Sequence, residues 1–73
     1  MQQEYKSTPH FQEKNHDLVS FIETSLENAA TSEAYRQTAI RSGDPELARL
    51  FDRIKDESYL NARKMKQILR ENH

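Results

Sequence analysis

Gly43-Asp44-Pro45-Glu46-Leu47 decides the fold of this 73-residue chain. Gly43 suits the position just past a helix end, where a left-handed backbone costs little in a residue without a Cβ. Asp44 reads as the cap of the next helix and Pro45 as its first residue, where a missing N–H does no harm. A stop and a start this close together force an antiparallel hairpin. Beyond the turn, apolar residues fall at Leu47, Phe51, Ile54, Met65 and Ile68, in alternating steps of four and three. Ser58 and Asn61 occupy the two central slots of that register, where a helix burying one face would be most apolar.

Working backward from the turn, nothing interrupts the chain between Thr8-Pro9, a hydroxyl cap followed by proline, and Ser42. Phe11, Leu18, Ile22, Leu26, Ala29 and Ile40 share one face, with Val19 and Ala30 at its edge. Phe21, Ser32, Tyr35 and Ala39 form a second face about a quarter to a third of a turn away. The reading is all-α: a tail over 1–8, a helix over 9–42, a turn at 43–44 and a helix over 45–71. At 1.5 Å per residue the second helix is roughly 40 Å long. Counted outward from the turn, Ser58 lies level with Asn28 and Asn61 with Ser25. The start of the first helix overhangs its mate, leaving Phe11 to seek a contact elsewhere.

Hydrophobic residues make up 34% of the chain and charged residues 32%. Two helices with so little apolar material cannot enclose a core, and a domain of this size usually needs a staple or another subunit. Two buried faces on one helix of a two-helix chain require a second copy, so the expected assembly is a homodimeric or larger four-helix bundle. The expected interface comprises Phe11, Phe21, Ile22, Leu26, Tyr35, Phe51, Ile54, Met65 and Ile68.

The absence of cysteine excludes disulfides, thiolate zinc sites and cysteine nucleophiles. With no membrane-length apolar run and no signal-like N-terminus, a cytoplasmic protein without membrane contacts is expected. A formal net charge of −1 argues against nucleic acid as a partner. Arg63, Lys64, Lys66 and Arg70 crowd the last turns, while Glu13, Asp17, Glu23, Glu27 and Glu33 lie in the first half. That polarity matches the helix macrodipole. Glu33 and Arg36 read as an i,i+3 ion pair beside an interface. Glu13-Lys14-Asn15-His16 spells Glu-x-x-His, but on the side opposite the Phe11–Leu18–Ile22 stripe, which marks a solvated face. Glu23 and Glu27 are like charges one turn apart, accounted for by exposure or by a neighbouring cation such as Arg63 or Lys64.

The stretch from Ser25 to Leu69 resembles the short helical hairpins of the ferritin-like superfamily, the encapsulated-ferritin and rubrerythrin-like proteins. The resemblance rests on Tyr35, on Gly43-Asp44-Pro45-Glu46-Leu47-Ala48 followed by Leu50-Phe51, and on Asp56-Glu57. It implies a di-iron site built from a glutamate of the first helix and a Glu-x-x-His motif of the second. Aligned through Tyr35 and the turn, the ligand positions are Asn28, Ser58 and Asn61, and none matches. A register slipped by one supplies Glu27 and Glu57 but puts Leu60 where histidine belongs. A shell-targeting peptide of the encapsulated kind has no counterpart before His73.

The resemblance therefore supports the fold and removes its usual iron chemistry. The expected function is non-catalytic, structural or protein-binding, with no cofactor and with Asn28, Ser58 and Asn61 as a polar centre. Two alternatives are an iron-binding oxidoreductase using Glu27, Glu33 or Glu57 across subunits, and a small adaptor that docks on another protein through Phe21, Tyr35 and Ala39 or through its basic end.

Overall fold

A computed structural model describes the backbone of residues 10–71 and the side chains of residues 13–71. The proposed tail, the Thr8-Pro9 cap and the side chain of Phe11 lie outside these. Two helices, α1 (His10–Arg41) and α2 (Pro45–Glu71), pack against each other along their lengths as a hairpin.

The turn works as its residues require. Gly43 has φ 76°, the left-handed conformation open to a residue without a side chain. Its N–H donates to the carbonyl of Ile40 at 3.0 Å, and the N–H of Asp44 donates to the carbonyl of Ala39 at 2.9 Å. These are the paired bonds of a Schellman motif, which satisfies carbonyls that the end of α1 would otherwise leave open. Asp44 then starts α2. Its Oδ1 accepts the N–H of Leu47 at 3.1 Å, and its carbonyl accepts the N–H of Ala48 at 3.1 Å. One aspartate thus caps the helix with its side chain and begins the helix's own ladder with its backbone.

The seam between the helices is made of small side chains. On α1 it runs through Ile22, Ser25, Ala29, Ser32 and Ala39, and on α2 through Ala48 and Ala62, all buried. Phe51, Ser58, Met65 and Leu69 of α2 are half-buried along the same line. Both series advance in steps of three, four or seven, the spacing that keeps one edge of a helix against its partner. The small residues set how closely the backbones approach. Ala29 has 0% of its surface exposed and Ala62 2%.

The consequence is a layer one helix deep, 13 Å through its thinnest dimension and 54 Å long. No large side chain among the described residues is fully buried. Phe21, Leu26, Tyr35, Ile40, Leu47, Leu50, Ile54 and Ile68 keep between 38% and 54% of their surface exposed. The hairpin spends its alanines and serines on its own closure and leaves its bulky residues outside.

Candidate interaction surface

Two broad faces flank the seam, and their chemistry differs. Residues seven apart on a helix lie nearly above one another. Phe21, Asn28 and Tyr35 therefore make one row on α1, and Leu47, Ile54, Asn61 and Ile68 make one on α2. Tyr35 places both rows on the same side. Its ring meets that of Phe51 with centroids 5.4 Å apart and planes tilted by 59°, a favourable aromatic geometry. The same ring helps line an open groove with Thr38, Leu47 and Phe51.

This face holds no ionised group in its middle. Between its two rows and the outer edge of α1 stand Thr24, Thr31 and Thr38, all exposed. Charge enters at its ends and outer edge: Asp44 beside Leu47 in the groove at the turn, Glu13, Lys14 and Asp17 beside Phe21 at the other end, and Glu57 and Lys64 along the edge of α2.

On the other side of the seam, Val19, Leu26 and Ile40 of α1 stand with Tyr59 of α2, and an ion-pair network interrupts them. Arg36 donates through Nε to Glu33 Oε1 at 3.0 Å and through Nη2 to Oε2 at 2.8 Å, a two-pronged pair within α1. Gln37 Nε2 donates to Oε2 at 2.9 Å. Lys55 Nζ reaches across from α2 to Glu33 Oε1 at 2.9 Å, and lies 3.4 Å from Asp52 Oδ1. The Glu33–Arg36 pair expected from the sequence is present. The cross-helix arm to Lys55 was not anticipated, although Lys55 lies within two residues of the level at which outward counting from the turn pairs the helices.

The hydrogen bond from Arg36, with those from Gln37 and Lys55, holds the Glu33 carboxyl well below the usual carboxylate range. The hydrogen bonds to Glu33 in turn raise the pKa values of Arg36 and Lys55. Because Glu33 binds its proton less readily folded than unfolded, its contribution to stability is complete above the ordinary glutamate pKa of about 4.3. It is lost as the pH falls below that value towards the folded one. Glu33→Gln is therefore expected to lower the melting temperature at pH 7 and to flatten its decline below pH 4.3. Thermal melts of the two proteins at matched pH values measure both effects.

The three residues of the polar centre read from the sequence differ in exposure within one hairpin. Asn28 and Asn61 are exposed on the uncharged face, and Ser58 is half-buried in the seam. Moving seven residues along each helix from the Tyr35–Phe51 pair brings Asn28 level with Ser58, with Asn61 about one turn on. Among the described residues, no side-chain hydrogen bond within the chain engages any of the three.

The residues expected at an oligomer interface fall into three groups. Ile22 is buried within the hairpin, and Phe51 and Met65 are half-buried at the seam. Phe21, Tyr35, Ile54 and Ile68 lie exposed on the uncharged face. Leu26 is exposed on the charged one.

Glu27 and Glu57 are exposed on the surface. Among the described residues, no three histidine, aspartate or glutamate side chains form a group able to hold a metal ion within one chain. His16 of the literal Glu-x-x-His motif is exposed, with Nδ1 3.7 Å from Asp17 Oδ1. No helix among the described residues is long and apolar enough to cross a membrane. Models of known protein families, characterised proteins and solved structures give no match to the chain.

Proposed function

We propose that this protein is a non-catalytic helical hairpin that associates with itself into a four-helix bundle and serves a structural or protein-binding role, in the cytoplasm. In this reading the hairpin is a ferritin-like scaffold whose ligand positions have become Asn28, Ser58 and Asn61. It needs no cofactor, contacts neither membrane nor nucleic acid, and has its own second copy as first partner. The alternative iron-binding reading would have to draw Glu27, Glu33 or Glu57 from several subunits. Glu33 is already engaged by Arg36, Gln37 and Lys55.

The observation that carries the reading is the one-layer architecture. Domains are built from at least two packed layers, because a single layer leaves half of its apolar surface in water. Here the seam is lined largely with alanine and serine while most of the large apolar side chains remain 38–54% exposed. A second hairpin laid on the first supplies the missing layer.

Mass measured under native conditions, together with metal analysis of the same sample, tests the proposal. The expected result is a species containing two or a small multiple of the 8.6 kDa chain, without stoichiometric iron. A folded monomer at micromolar concentration contradicts self-association. Iron in fixed ratio to the chain, lost on replacing Glu27 and Glu57, contradicts the non-catalytic reading.

A further inference from the structure

We infer that the second copy seats on the uncharged face, so that the Asn28–Asn61 level of one hairpin abuts the same level of the other, while the Glu33–Lys55 face stays outward. The inference rests on the self-association proposed above and adds which surface is used and what sets its register.

The choice between faces follows from charge. A contact between identical copies is self-complementary, and a residue near its two-fold axis meets itself or a close neighbour. An ionised side chain there would confront its own charge. An asparagine amide carries both donors and acceptors and can pair with a second asparagine in either arrangement. The uncharged face has amides at mid-height and apolar groups on either side: Phe21 and Tyr35 on α1, Ile54 and Ile68 on α2. The opposite face has Glu33 about a turn and a half nearer the hairpin's turn, bound to Arg36 and Lys55 and half-exposed. Covering that network would strip water from charges whose partners are already in place, with no new partner gained.

Size is consistent as well. Two helices each about 10 Å across and paired over the roughly 40 Å of α2 offer about 800 Å² on one face, the area each partner contributes to a standard stable interface. Among the described residues Asn28 and Asn61 have no side-chain hydrogen-bond partner within the chain, so pairing across the interface would supply their hydrogen bonds. Sliding one copy along the other by two turns, the seven-residue spacing of each row, would bury those amides against isoleucine or tyrosine, at about 1–3 kcal/mol for each unsatisfied group. The amide level therefore acts as the register mark, as a single buried asparagine does in coiled coils.

The chain has no cysteine of its own, so single introduced cysteines report proximity without background. Asn28→Cys and Asn61→Cys, alone and mixed one to one, are oxidised with glutathione disulfide beside Val19→Cys, Leu26→Cys and Tyr59→Cys on the other face. Native mass is measured on every variant before oxidation. The expected result is that at least one of the 28–28, 61–61 and 28–61 pairings becomes more than half covalent dimer, while the other three variants stay largely unlinked. Efficient linkage through residues 19, 26 or 59 overturns the inference, and so does a dimeric mass with no linkage at 28 or 61. A monomeric mass for all variants and the parent protein refutes self-association itself and the inference with it.

Discussion

Ile54→Lys is expected to convert the assembled protein into monomers at concentrations where the parent is fully associated. Ile54 sits on the uncharged face between the levels of Tyr35 and Asn61 and is 38% exposed in the single hairpin. Covering the remaining 38% of Ile54 contributes roughly 0.6–1 kcal/mol, about two fifths of what full burial of such a side chain is worth. Lysine forfeits that contribution and adds an ammonium that must be desolvated, the nearest carboxylate on that face being Glu57, three residues on at its outer edge. In a two-fold assembly each substitution counts twice, so a loss of roughly 4 kcal/mol, about a thousandfold in the dissociation constant, is expected. Light scattering across a dilution series measures it. Tyr59→Lys, on the charged face, is the control and should leave the mass unchanged. Equal dissociation by both variants would show that association does not use one face in preference to the other.

The other large effect belongs to the seam. Ala29→Leu is expected to destabilise the hairpin by about 2–3 kcal/mol, because overfilling a closed contact forces side chains and backbone apart. Ala29 is fully buried, and by level it faces the Ser58–Ala62 stretch, so the two helices approach where both contribute small groups. For a domain of this length the change corresponds to about 10 °C or more in melting temperature. Ala30→Leu, one residue along and exposed, adds the same atoms outside the seam and should change stability little. A melting temperature for Ala29→Leu equal to that of the parent would mean that the helices separate freely and that the small-residue seam does not hold them.

These expectations fall on different residues because the chain uses two kinds of packing. A seam of alanine and serine closes one copy, and bulky apolar residues beside it are kept for another surface. The apolar stripe visible in α2, through Leu47, Phe51, Ile54, Met65 and Ile68, is thus shared between the two. Phe51 and Met65 lean into the seam, whereas Leu47, Ile54 and Ile68 stand beside it. Counting large hydrophobic residues does not reveal this division. Ser25 and Ser32 score as polar and Ala29 as nearly neutral, yet all three are buried. Their common spacing with Ile22 and Ala39, in steps of three, four and seven, was the available signal.

By itself the sequence determined the helices, the point where the chain reverses, and the capping of that reversal. Those features rest on local chemistry: Gly43 free to take a positive φ, Asp44 able to cap, Pro45 at home in a first turn, and i,i+3 spacing for Glu33 with Arg36. Only the tertiary structure decided which residues of each helix meet, that Lys55 joins Glu33 across the seam, and that Asn28 and Asn61 lie on a surface free of charge. Such facts depend on the rotation of one helix about its axis relative to the other. An amphipathic stripe more than 100° wide allows several rotations, and the close fit of alanine against serine selects one.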